Sequence, residues 1–169
     1  MNTQYCKLYL GLIVLLTFST TVCAEEKSDT PGGKNSIYFF GYLKHVVNDS
    51  RNKEGYMGLI GYSRELCYGK FMFDTGVNTY IDSYDVRSYS LFSNVSYENF
   101  QYKILTPMLE MGITYKGKDY DTSEMQTYPF IIPKIRIGAA TGVFADFSGL
   151  PKIGDITNGW FALEIGYKW

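Results

Sequence analysis

The chain has 169 residues, suited to one domain, with 16 Lys+Arg against 17 Asp+Glu. That balance argues against a nucleic-acid partner, since there is no basic excess to neutralise phosphates. One His and no Cys/His cluster argue against a metal site, and no motif calls for a cofactor.

The chain opens as a secretory signal. Lys7 precedes an apolar run, Leu8 to Phe18, and Val22-Cys23-Ala24 supplies a cleavage site after Ala24. The run is too short for a transmembrane helix. Acylation at Cys23 is disfavoured, because Thr20-Thr21-Val22 lacks the small residues of a lipoprotein signal. Cys6 and Cys23 leave with residues 1–24, so Cys67 has no partner for an intrachain disulfide. Residues 25–35, with Pro31, Gly32 and Gly33, read as a short flexible leader. Residues 36–169 form the structured domain.

From Ser36 onward, apolar and polar residues alternate in eight segments, and no window carries a helical period. The segments are Ser36–Val47, Gly55–Leu66, Gly69–Ile81, Ser88–Glu98, Phe100–Tyr115, Thr127–Ala140, Thr141–Ser148 and Asn158–Trp169. Long polar links, Asn48–Glu54, Asp82–Arg87, Lys116–Gln126 and Gly149–Thr157, alternate with very short ones. An even strand count with long loops on one side predicts an all-β fold, an eight-stranded antiparallel transmembrane barrel of outer-membrane type. Aromatics at 17%, with 16 Tyr and 11 Phe, fit such a barrel. In the last segment Phe161, Leu163, Ile165, Tyr167 and Trp169 share one face. A chain ending in Tyr-Lys-Trp resembles the C-terminal signal of bacterial outer-membrane proteins, and a bacterial outer-membrane location is expected. A soluble lipocalin-like barrel would need apolar residues inside instead.

With the apolar parity facing lipid, Asp74, Glu98, Lys134, Arg136 and Lys168 fall in the lower interior. Tyr80, Phe130, Ile132 and Trp160 fall in the upper interior, near the long loops, and suit a hydrocarbon chain. Pro129 and Pro133 sit in the upper part of one strand. Proline removes ladder hydrogen bonds, so they mark either a bulge at the rim or a lateral opening for a lipid tail. Asp82-Ser83 ends the third segment. In a turn such a pair usually bonds nearby backbone amides.

Set in order, these features resemble the lipid A palmitoyltransferases. The match runs through His45, the only histidine, at the outer end of the first strand, then Gly58-Leu59-Ile60-Gly61-Tyr62-Ser63-Arg64 and Asp82-Ser83. It continues through Glu98-Asn99-Phe100, the proline-bearing Tyr128–Pro133 and Asn158-Gly159 before Phe161-Ala162. The chain departs from the family in lacking an N-terminal amphipathic helix and prolines in Ser36–Leu66.

The resemblance implies an enzyme, an acyltransferase moving an acyl chain from a phospholipid donor to lipid A, with His45, Asp82 and Ser83 as catalytic residues. His45 would be the base, Asp82 would orient it, and Ser83 would serve as oxyanion donor or nucleophile. Pro129 and Pro133 would flank the lateral gate, and Asn94 or Ser96 would set the acyl length. A monomer is expected. The alternative is a non-enzymatic barrel, structural or adhesive, whose rim loops bind a partner. A lipid deacylase is disfavoured, because Val47 stands where such enzymes place a Ser two residues after the His.

Overall fold

The computed structural model describes residues 33–46, 54–102, 104–117, 124–153 and 157–169. The signal at 1–24 and most of the leader lie outside the described residues. Among the described residues nine strands run in chain order: β1 (Asn35–His45), β2 (Gly55–Tyr56), β3 (Ile60–Tyr68), β4 (Phe71–Ile81), β5 (Arg87–Tyr97), β6 (Leu105–Gly117), β7 (Met125–Gly138), β8 (Gly142–Ile153) and β9 (Thr157–Lys168). β2 and β3 are two parts of one stave, interrupted at Met57-Gly58-Leu59, where Gly58 takes a φ of 56°. Every neighbouring pair is antiparallel, and β1 pairs with β9 from Ser36↔Lys168 to His45↔Trp160. The eight staves therefore close into an antiparallel barrel.

The barrel is inverted relative to a soluble one. Ile60, Val77, Leu109, Met111, Ile131 and Ile135 are exposed around its outer middle. Tyr56, Tyr89 and Tyr115 are exposed nearer the long-loop end. At the short-turn end Phe71 packs against Tyr97 at 5.1 Å, and Tyr167 stacks on Trp169 at 6.4 Å. An aliphatic waist between two aromatic belts is the outer surface of a bilayer-spanning barrel.

Inside, charges replace a hydrophobic core near the short turns. Arg136 donates to both carboxylate oxygens of Asp146, at 2.7 and 2.8 Å, and to Asp74 at 3.0 Å. Lys134 bridges Glu110 and Glu164, and Lys168 pairs with Glu65. Glu98, expected in this group, is instead exposed in a 3-10 turn, Glu98–Phe100. The strand expected from Phe100 begins only at Leu105, after a tight turn closed by two bonds between the Tyr102 and Leu105 backbones. β8 also outruns its expected end at Ser148, taking in Gly149 to Ile153. An aromatic cluster is interleaved with the ion pairs. Tyr38 meets Phe92 and Phe144 edge-on at 5.8 and 5.4 Å, and Leu59 packs with them.

Two irregularities shape the loop end. The first is in β1, where Phe39 is left without a register partner between Tyr38↔Gly166 and Phe40↔Ile165. Phe39 and Phe40 both lie on the outer face, Phe40 against Tyr56 at 5.6 Å. Such a bulge re-aims the chain beyond it. Unbroken alternation from Tyr38 would turn Lys44 inward and His45 outward. Past the bulge, Leu43 and His45 line the interior instead.

The second is a seam between β7 and β8. They pair only from Lys134↔Ser148 to Gly138↔Phe144. β6 and β7 pair along their whole lengths, Leu105↔Ile137 to Gly117↔Met125, and β8 stays paired to β9 as far as Ile153↔Thr157. The ladder therefore stops where Pro133 precedes Lys134, and Pro129 lies beside the unpaired stretch. Neither proline carries an N–H, which lowers the number of backbone donors an open seam leaves unsatisfied in lipid.

Candidate functional site

A cavity of about 490 Å³ occupies the loop end of the barrel. That lies within the range of roughly 300–1,000 Å³ typical of small-molecule sites. Tyr80, Phe130, Ile132 and Trp160 all line it, together with Leu43, Met57 and Leu150. The Tyr80 and Thr114 hydroxyls share a hydrogen bond of 2.9 Å, which fixes the tyrosine ring on the wall. Asn94 and Ser96 are buried but are not among the lining residues. The lower wall includes Glu110 and Glu164, both bound to Lys134.

The seam between β7 and β8 opens beside this cavity. Pro129, Phe130, Ile131 and Ile132 on one side, and Ser148 and Leu150 on the other, belong to its lining. Pro133 does not; it faces outward where the ladder resumes.

His45, Asp82 and Ser83 also line the cavity. His45 stands at the end of β1 opposite Trp160, and its backbone N–H donates to the Glu54 carboxylate at 3.0 Å. Asp82 follows β4 and is buried. Its Oδ1 accepts from the backbone N–H groups of Tyr84 and Val86, at 2.9 and 3.0 Å, and its Oδ2 from the Ser88 hydroxyl at 2.9 Å. Backbone bonds from Asp82 to Val86 and from Asp85 to Asp82 complete the turn, with Asp85 at a φ of 65°. The carboxylate thus organises its own turn, and three donors already occupy it. Asp82→Ala should lose charge-assisted bonds worth about 1.5–3 kcal/mol each, while Asp82→Asn keeps an acceptor for the two amides. Urea unfolding of the two variants checks this; equal stability of Asp82→Ala and the parent would refute it.

Sequence reasoning missed several lining residues. Leu43 becomes interior only through the bulge. The link expected over Lys116–Gln126 is shorter in the structure: β6 runs through Gly117 and β7 begins at Met125. The alternation Glu110, Gly112, Thr114, Lys116 was the available signal that Lys116 faces inward.

No family model and no curated protein sequence matches the chain. Two solved structures are similar in backbone. One is the N-terminal β-barrel domain of Pseudomonas aeruginosa OprF, with TM-score 0.43 and 13% identity, covering 83% of this chain and 100% of that one. The other is Neisserial surface protein A, with TM-score 0.42 and 10% identity, covering 80% of this chain and 94% of that one. The barrel assignment stands on the strand pairing itself, from β1 round to β9.

Proposed function

We propose that the protein is an outer-membrane barrel that takes one hydrocarbon chain of a membrane lipid into its loop-end cavity, through the seam between β7 and β8. The observation that carries this reading is that the seam and the cavity share a wall, Pro129 to Ile132. A polar, ion-paired interior needs no such apolar chamber for stability. Each methylene buried there gains about 0.8 kcal/mol relative to water.

Trp160 makes the test direct. The chain has two tryptophans, and Trp169 lies on the outer face. In a Trp169→Phe background, the refolded barrel in nonionic micelles is titrated with 11-bromoundecanol, whose bromine quenches tryptophan at short range. Quenching of Trp160 beyond that of a tryptophan ester dissolved in the same micelles supports the reading. Equal quenching sinks it.

A second reading, acyl transfer, is favoured by one observation: His45, Asp82 and Ser83 line the same cavity. The resemblance to the lipid A palmitoyltransferases supports it as well. In this reading His45 takes the proton of the accepting hydroxyl as that oxygen bonds to the donor's ester carbonyl carbon, Ser83 stabilises the oxyanion, and the ester C–O bond breaks with His45 returning the proton to the departing lysophospholipid; if Ser83 attacks instead, His45 takes the Ser83 proton first and the acyl group passes from Ser83 to the acceptor in a second, equivalent step. Because Asp82 holds a turn, Asp82→Asn is a cleaner probe than Asp82→Ala. Mass spectrometry of lipid A from cells with and without the protein decides. An added acyl chain that His45→Ala abolishes supports transfer; an unchanged spectrum leaves binding alone.

A further inference from the structure

We infer that Lys116 is an anchor for an anionic head group, so that the preferred ligand is a negatively charged amphiphile rather than a neutral one. This rests on the chain-binding reading above and adds the charge of the ligand to it.

Lys116 is the only lysine or arginine among the described residues lining the cavity. It lies one residue from the loop end of β6, on the inward parity. Its Nζ sits 5.3 Å from the centre of the Tyr128 ring and 5.7 Å from that of Tyr84. Among the described residues no carboxylate oxygen lies within 4 Å of it, whereas Lys134, Arg136 and Lys168 all have such partners.

The carboxylates that share its cavity are already engaged. Asp82 is held by Tyr84, Val86 and Ser88, and Glu110 and Glu164 both bind Lys134. A half-buried ammonium held between two aromatic faces, at the mouth of an apolar chamber, offers its charge to whatever occupies that chamber. Tyr128 precedes Pro129 at the seam, so a chain passing between β7 and β8 would leave its head beside this lysine. The hydrocarbon would lie against Tyr80, Phe130 and Ile132, above Glu110 and Glu164.

The test compares two probes of equal length, 11-bromoundecanoate and 11-bromoundecanol, in the Trp169→Phe barrel in nonionic micelles. The carboxylate should half-saturate Trp160 quenching at a concentration at least about tenfold below the alcohol, a difference of about 1.4 kcal/mol. Lys116→Gln should remove that preference, so that the two probes half-saturate at similar concentrations, and Lys116→Arg should restore it. If neither probe quenches, chain binding itself fails. If both quench alike in the parent, or the preference survives in Lys116→Gln, chain binding stands and the anchor is overturned. Chain-brominated phosphatidylglycerol against zwitterionic phosphatidylcholine, in the same variants, separates the sources of the charge: a Lys116-dependent preference for phosphatidylglycerol assigns it to an anionic phospholipid, and no such preference assigns it to a free carboxylate.

Discussion

Arg136→Met is expected to lower the stability of the barrel by about 3–5 kcal/mol, as removal of one partner of a buried ion pair does. The side chain donates to Asp146 twice, to Asp74 and to the Tyr38 hydroxyl at 2.8 Å, and its guanidinium lies 4.0 Å over the Phe144 ring. Methionine fills much of the same volume, so the loss would be electrostatic. Asp146 is fully buried and would keep only Lys134, at 3.9 Å, which already serves Glu110 and Glu164. Removing the stranded acids as well, in Arg136→Met/Asp74→Asn/Asp146→Asn, should recover most of the loss. Urea unfolding, followed by loss of heat-modifiable mobility on gels, measures both. A single variant as stable as the parent would show that the network is satisfied by water.

The largest effect on binding is expected from Ala162→Phe. Ala162 is buried, lines the cavity, and sits between Leu43 on β1 and Ser148 on β8. A phenyl ring there projects into space that a hydrocarbon chain would use. Displacing only two methylenes costs about 1.6 kcal/mol, more than tenfold in affinity. The same change fills a void in the free protein, so its stability should hold or rise. Bromoundecanol titration and urea unfolding together separate the two effects. Unimpaired quenching in a stable Ala162→Phe barrel would place the probe elsewhere.

Most of the fold was legible because alternation is a direct record of a wall with lipid on one side and a polar lumen on the other. Phe130, Ile132, Lys134 and Arg136 could be assigned inward from the sequence alone, and the structure places them there. The ionic partners Glu65 and Glu110 were harder to read, since which charges meet depends on stagger between distant strands. Glu98 shows the converse: it continues the parity of β5, but the chain has already left the strand. The interruption at Met57-Gly58-Leu59 was invisible because Gly58 disturbs no hydrophobic pattern. At the candidate site, Tyr80, Phe130, Ile132 and Trp160 share a cavity as parity required. Pro129 and Pro133 lie on the stretch of β7 that does not pair with β8. The commitment of Asp82 to Tyr84, Val86 and Ser88 was the ordinary expectation for an Asp-Ser turn.

The bulge at Phe39 governs how the rim would respond to a change in chain length. Deleting Phe39 would let Phe40 follow Tyr38 in simple alternation, with Gly41, Leu43 and His45 still inward. Adding one residue between Phe40 and Gly41 has two outcomes: a retained bulge turns Leu43 and His45 toward lipid and Lys44 toward the lumen, whereas a straightened strand keeps them inward but drives Phe40 into the lumen and moves their partners on β9 by two residues. Labelling of a Leu43→Cys reporter with a lipid-soluble maleimide distinguishes the two facings. At this one position the strand tolerates loss of a residue more readily than gain.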